Sequence, residues 1–368
     1  MPLLVLEVFF PAVWLTLCIS GGRESKREPW KQTMKACFFV RVGERDILER
    51  VEAYKQDIDI LRELRFEVVL STCWDEIPTD ADFYFIYWWQ WGFLPMMKGI
   101  IRRRPCLITG VFDFRWPVGN CDYFHRPAWQ QWLMQYSLKH AAANVFVSEL
   151  EYREVTRALK VNNPLYIPHA VDPAIYREGT GARENFVLDI VMMTQGNSRR
   201  KCVPEIIKAI PLVRDRHPEV RFVFAGNKGS DYAGLARMVS ELGLEGAVDF
   251  PGVISREQKV NLLQRCKVYV SPAWYEGFGM AILEAMSCGT PVVSSPVGAL
   301  PEVVGDAGLL VDGRSPEAIA GGINRYLDNE ALRGEMGYRG RQRAVTLFPY
   351  SRRRRELEKV ISEILEKN

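Results

Sequence analysis

A chain of 368 residues is long for one open sheet and comfortable for two domains, and 48% hydrophobic with 25% charged residues places it among ordinary globular proteins. A net charge of +3 is too small for electrostatic wrapping of nucleic acid to be the main activity. The eight cysteines stand singly with no Cys-x-x-Cys pair, which argues against a zinc site or a disulfide framework and fits a reducing cytoplasm.

Residues 3–19 are almost entirely apolar, but Glu7 and Pro11 interrupt the run and no Lys or Arg precedes it, unlike a secretory signal. Arg23, Lys26, Arg27, Lys31 and Lys35 follow, so a membrane span here would leave the rest of the chain on the cytoplasmic side. The run is barely long enough to cross. The alternative is an upstream extension, with folding beginning at Met34. On either reading residues 1–33 are set outside the fold.

From residue 34 short apolar runs alternate with longer amphipathic ones. Strands are expected over 35–42, 66–70, 83–87, 106–109 and 144–148, with a helix over 44–64 and a polar helix behind the fifth strand. This βαβ succession predicts a parallel sheet with its ligand loops at the strand C-termini. Gly43 closes the first strand. Trp88, Trp89 and Trp91 follow the third, and Phe112, Asp113 and Trp116 follow the fourth, ahead of Asn120, His125 and Arg126. Aromatic rings at strand ends suit the apolar faces of a sugar or an amphipathic acceptor, although core packing is the simpler account of any one Trp. The basic runs 102–104 and 352–355 read as solvated helix faces, with anionic lipid or acceptor phosphate as the other partner they could meet.

Pro168 and Pro173 stiffen a passage into a second α/β half. A strand over 188–193 is followed by Gly196, Arg199, Arg200 and Lys201, then by a helix from about 203. Three cations and a glycine between a strand and a helix suit a diphosphate. After a strand over 221–225 and the segment 248–253, which closes on Val253, comes a buried-type strand over 268–270. Gly277 and Gly279 then open helical spacing through Met280, Leu283 and Met286 that stops at Gly289. The unfilled N–H groups of that first turn, with the helix dipole, would bind an anion. Glu276 and Glu284 flank this turn, and carboxylates commonly accept hydrogen bonds from sugar hydroxyls. The combination suits a phosphorylated sugar, although a lone glycine turn carries little weight by itself.

The stretch 271–289, with Glu276 and Glu284 eight apart, resembles the Glu-x7-Glu motif of the family-4 retaining glycosyltransferases, and the likeness covers 187–348. The resemblance implies an α/β fold of GT-B architecture: two Rossmann-like domains with parallel sheets facing across a cleft. It divides the chain into an acceptor domain over 34–170, a nucleotide-sugar donor domain over 171–349, and a helix over 350–368 that crosses back. It further implies that Glu276 touches the donor sugar and Glu284 the ribose hydroxyls. Lys201 matches the family lysine at the leaving diphosphate; the usual arginine falls near Gly196, so Arg199 or Arg200 supplies that charge. Val253 falls where relatives meet the base, and Gly43 where they carry a glycine pair. Phe112 stands where many relatives have a His facing the donor sugar, which leaves Asp113 as the substitute, with His125 behind it. His169 and Ala170 replace the usual Asn and Gly, and Cys202 a usual Gly. Asp57 and Asp59 look like the metal-binding pair of the other glycosyltransferase class, but helical spacing turns them apart and both read as surface. Glu302 and Asp312 fit structural positions.

The implied reaction moves a hexose from a nucleoside diphosphate sugar, with retention, to a saccharide, lipid or small-molecule acceptor. No cofactor is expected beyond that co-substrate and no metal, because Lys201, Arg200 and the amides of Gly277, Phe278 and Gly279 would do a divalent ion's work. A catalytically silent nucleotide-sugar or glycan-binding subunit and a nucleotide-sugar 2-epimerase are the alternatives. A glycoside hydrolase is disfavoured. Its two carboxylates work across roughly 5–10 Å around one bond, whereas eight helical residues separate groups by up to about 12 Å along the axis. Nucleic acid is not expected as a partner, and peripheral or N-terminally anchored membrane association is left open.

Overall fold

The computed structural model describes residues 34–115 and 122–367; the apolar run over 3–19, Trp116 and Asn120 lie outside the described residues. The first part of the chain folds as β1 (Lys35–Phe39), α1 (Ile47–Arg50), α2 (Glu52–Glu63), β2 (Glu67–Ser71), β3 (Phe83–Tyr87), α3 (Trp89–Arg102), β4 (Cys106–Gly110), α4 (Ala128–His140), β5 (Ala143–Phe146), α5 (Glu149–Ala158) and β6 (Pro164–Tyr166). Next come β7 (Glu184–Ile190), α6 (Gln195–Arg200), α7 (Val203–Arg214), β8 (Arg221–Ala225), α8 (Tyr232–Glu241), β9 (Val248–Gly252), α9 (Arg256–Arg265) and β10 (Cys266–Val270). The chain finishes with α10 (Met280–Ser287), β11 (Val292–Ser294), α11 (Leu300–Val304), β12 (Leu309–Leu310), α12 (Pro316–Asp328), α13 (Glu330–Leu347) and α14 (Tyr350–Glu366).

Two six-stranded sheets result, ordered β2-β1-β3-β4-β5-β6 and β12-β11-β10-β7-β8-β9, and every named strand pair is parallel. Parallel strands joined by helical crossovers are covered on both faces, so they read as continuous apolar runs. β3, Phe-Tyr-Phe-Ile-Tyr, is buried at all five positions. In β7, Val187 and Leu188 point to opposite faces and join different apolar clusters, one with Phe222 and Val268, the other with Tyr269 and Leu283. The sequence order reverses between β7 and β10, the kind of switch point at which open parallel sheets bind their ligands.

Several sequence expectations shift. The helix expected over 44–64 breaks at Val51, which takes an extended conformation (φ −82°, ψ 115°). The loop expected after β3 is helical from its second residue: Trp88 turns the chain at φ +67°, and Trp89 is buried with its indole N–H donating to Asn144 Oδ1 at 2.7 Å. Trp89 is therefore core, not rim. The strand expected over 188–193 runs earlier, over Glu184–Ile190, and the cationic segment behind it is the short helix α6.

The largest correction concerns Asp57 and Arg353, both read as surface. Both are almost completely buried. The Arg353 guanidinium on α14 donates twice to the Asp57 carboxylate at 2.7 Å and to the carbonyls of Ile167 and Pro168 at 2.9 Å, while Tyr87 donates its hydroxyl to the same carboxylate. Asp59 behaves as expected, pairing with Lys55 at the helix surface. Beside this cluster His169 meets the Gln56 amide through Nδ1 at 3.1 Å, and burial holds its imidazole well below the ordinary range, hence neutral.

Candidate active site

The loops after β7 and β10 meet at this switch point. The Trp274 N–H donates to the Arg200 carbonyl at 2.8 Å, which locks α6 against the segment leading to Glu276. Glu276 Oε2 then accepts from Lys201 Nζ at 2.5 Å and from Arg200 Nη1 at 2.9 Å. Arg200 is fixed further by the Tyr275 carbonyl at 3.1 Å and by Asn197 Oδ1 at 2.7 Å. Burial alone would raise the Glu276 carboxyl, but Lys201 and Arg200 outweigh it and hold it at about 2. Two cations face one carboxylate here, so the cluster carries a net positive charge, and its side chains remain 13% to 22% exposed.

Glycines let the backbone close around this cluster. A Cβ at Gly298, where φ is +53°, would collide with the Glu276 carbonyl, and one at Gly277 would collide with the Val111 side chain of the loop after β4. The N–H groups of Gly277, Phe278 and Gly279 donate to no group among the described residues. They lead into α10, so free amides and a helix dipole sit beside the cations. The Phe278 side chain is buried against His169 and Phe348, with ring centroids 5.3 and 5.8 Å away, so this residue offers only its backbone.

Two acids from the first sheet join this region. Asp113, at φ +57°, lies 3.7 Å from Arg126, and burial lifts its carboxyl to about 6 against the pull of Arg126 and Arg200. Glu151 was not singled out from sequence. It is buried on α5, and its carboxylate accepts from the N–H groups of Phe112 and Asp113 at 2.8 Å, from Phe114 at 3.4 Å, and from the Tyr275 hydroxyl at 2.8 Å. One side chain thus ties the loop carrying Asp113 to the residue next to Glu276. Burial pushes Glu151 up to about 7, Asp113 adds to that, and the N–H and hydroxyl donors oppose it. The only sequence signal was Ser148 three residues earlier, which reads as a helix cap. Ser148 does accept from the Glu151 N–H at 3.4 Å, but the Glu151 carboxylate points away to the loop.

Glu284 is buried at the next turn of α10 and accepts from Lys259 at 2.7 Å; burial raises its carboxyl while Lys259 opposes. Val253 is 59% exposed beyond β9. Gly196 and Arg199 lie on the exposed side of α6 and Gly43 stands in open space, so no contact ties these three to Glu276. His125 turns to Asp122 at 2.7 Å, and Phe112 packs on Trp89 and Tyr123 at 5.3 and 5.6 Å. Cys202 takes the left-handed conformation (φ +53°) that its glycine-replacing position suggests. A cavity of about 390 Å³ opens at the N-terminal edge of the second sheet, lined by Glu184, Arg221, Asp249 and Arg265. It lies at the opposite strand ends from the residues above, away from the C-terminal ends at which such sheets bind ligands.

This architecture, two parallel six-stranded sheets with a cationic cluster at the switch point of the second, is the GT-B fold. Residues 188–343 match the family described as glycosyl transferases group 1. It is 38% identical over 138 residues to O-antigen chain mannosyltransferase B of Escherichia coli, covering 36% of this chain and 35% of that protein. It is 32% identical over 186 residues to D-inositol 3-phosphate glycosyltransferase of Acidothermus cellulolyticus, covering 46% and 41%. The chain thus spans less than half the length of these curated relatives. Among solved structures, sucrose-phosphate synthase from Thermosynechococcus elongatus superposes with a TM-score of 0.72 at 19% identity, over 91% of this chain and 100% of that one. Anabaena HepE in complex with UDP and glucose gives 0.70 at 16% identity, over 90% and 100%.

Proposed function

We propose that this protein transfers a hexose from a nucleoside diphosphate sugar, with retention at the anomeric carbon, to a hydroxyl of a saccharide, lipid-linked or small-molecule acceptor. The carrying observation is the pair Arg200 and Lys201 around Glu276, next to the unbonded N–H groups of Gly277, Phe278 and Gly279. A diphosphate leaving group gathers charge as the glycosidic bond breaks, and fixed cations with preorganised amides stabilise that charge more than the ground state. These groups supply the positive charge that a divalent metal supplies elsewhere. Glu276, held ionised, positions Lys201 and Arg200 and accepts from donor-sugar hydroxyls. Glu284 takes the ribose hydroxyls, and the backbone at Val253 the base. The leaving phosphate oxygen accepts the acceptor proton, so no protein nucleophile is needed. The mannosyltransferase and glycosyltransferase relatives support sugar transfer, and UDP in HepE supports the nucleotide class.

A specific observation favours a second reading, a silent nucleotide-sugar-binding subunit. Phe112 is sealed in an aromatic cluster, so the side chain at the position of the family His cannot reach a sugar. Asp113, one residue on, is the polar group left to fill that role. Release of free nucleoside diphosphate from UDP-, GDP- and ADP-sugars in the presence of glycan and polyprenyl-linked acceptors separates the two. Acceptor-dependent release that Lys201→Ala abolishes is the expected result; tight nucleotide binding with no release from any donor establishes the silent reading.

A further inference from the structure

The flank of the first sheet formed by α3 and α4 has an unusual charge pattern. Neither helix contains an Asp or Glu, whereas α2, α5 and α14 each contain three or more. Residues 88–142 hold seven Lys and Arg against two aspartates, a net of +5 in a chain whose total is +3, so the remaining residues net −2. Both aspartates are engaged: Asp113 with Arg126, and Asp122 with His125. No carboxylate from this stretch is left open to offset the cations.

The outer face of α4 is aromatic. Its buried stripe is Met134, Ser137 and Leu138; on the opposite side Trp129 and Trp132 are 57% and 59% exposed, and the same side continues to exposed Lys139 and His140. Helix α3 lies alongside, with Phe93 5.9 Å from Tyr136 of α4. Both helices are crossovers in one parallel sheet, so they run the same way and their C-termini share an end. Arg102, Arg103 and Lys139 lie at that end, with exposed Ile100 and Ile101, while the two Trp lie about two and three turns back along a helix of about 20 Å.

We propose that this flank docks on an anionic lipid bilayer, with Trp129 and Trp132 seated at the headgroup boundary and Arg102, Arg103 and Lys139 against lipid phosphates. Indole rings are apolar bodies with one N–H donor and settle at membrane–water interfaces. Charge complementarity selects the occupant. A second copy of the chain would bring like charge against like, and a neutral glycan would account for the Trp pair but not for the missing carboxylates. The inference goes beyond sugar transfer and does not rest on it.

The test is co-sedimentation of the full chain with vesicles of phosphatidylcholine alone or mixed with phosphatidylglycerol, at low and high salt. Binding to the mixed vesicles that weakens with salt is expected. Trp129→Ser with Trp132→Ser should lower partitioning at least tenfold. Each cation near such a surface contributes about fivefold, so Arg103→Gln with Lys139→Gln should lower it by about twenty-five-fold on anionic vesicles only. Unchanged thermal unfolding shows that both exposed pairs leave the fold intact. The proposal is overturned if neither vesicle is bound, or if binding survives both double substitutions, as docking through residues 3–19 would produce. Conversion of a dimer to a monomer by the Trp substitutions, without a change in partitioning, also overturns it.

Discussion

Two carboxylate–guanidinium clusters, one buried and one partly exposed, have similar chemistry and opposite character. In the Asp57–Arg353 cluster the guanidinium donates to both carboxylate oxygens and to two carbonyls, and Tyr87 adds a hydroxyl; one cation faces one carboxylate and water is excluded. In the Glu276 cluster two cations share one carboxylate oxygen, the groups stay partly exposed, and unbonded amides stand alongside. A balanced, saturated cluster has nothing left to offer a ligand and acts as a latch between α2 and α14. An unbalanced one with spare donors keeps positive charge and N–H groups available, as the proposed diphosphate site requires.

Substitutions should break that contrast in different currencies. Arg353→Ala leaves Asp57 buried without its partner and should cost about 3–5 kcal/mol in urea unfolding, the largest effect expected. Pairing Asp57→Leu with Arg353→Met should recover part of it, because the charge and its partner leave together. Lys201→Ala and Glu276→Ala should each lower turnover by about two orders of magnitude or more, with unfolding midpoints near wild type; near-normal turnover in both would place the chemistry elsewhere. Glu151→Gln replaces an acceptor oxygen with an NH2 facing a backbone N–H. It should lower kcat by about tenfold with donor KM little changed, since the carboxylate positions Asp113 and Tyr275 and touches no substrate.

The pH dependence sharpens the role of the two raised acids. Glu151 at about 7 and Asp113 at about 6 take up protons as pH falls through that window, so turnover should decline there, and Glu151→Gln should flatten the upper part of the decline. Stability runs the other way. Folded carboxyls with raised pKa bind protons more tightly than unfolded ones near about 4.3, so their contribution favours the fold at low pH and is lost as pH rises toward about 7. The smallest effect belongs to the exposed pair Arg339–Asp306, where Arg339→Ala should cost about 1 kcal/mol or less.

Strands β3 and β8 were legible to the residue because each is a short aromatic and apolar run: β3 begins right after Asp82, and β8 runs from Arg221 to the residue before Gly226. The glycine turn, Glu276, Arg200 and Lys201 were legible as types, and the structure brings the three charged groups within hydrogen-bond reach. What escaped was non-local. Asp57 and Arg353 lie 296 residues apart, and nothing in either neighbourhood signals the other. Helical spacing separated Asp57 from Asp59 correctly, but amphipathic reading could not show that the acid is buried alongside Ile58, Ile60 and Leu61. Glu151 was hidden by a local explanation, since its spacing from Ser148 fits a cap that its side chain does not make. Of the tryptophans after β3, Trp89 left the rim for a geometric reason: one left-handed residue, Trp88, starts α3 at once and turns Trp89 into the core.

The central claim is that a diphosphate is held between Lys201 and the amides of Gly277, Phe278 and Gly279. Titration calorimetry of UDP, GDP and ADP into the wild-type chain and into Lys201→Ala tests it directly. At least one nucleotide should bind the wild type and lose tenfold or more in affinity in the variant; equal affinity for both proteins would contradict it.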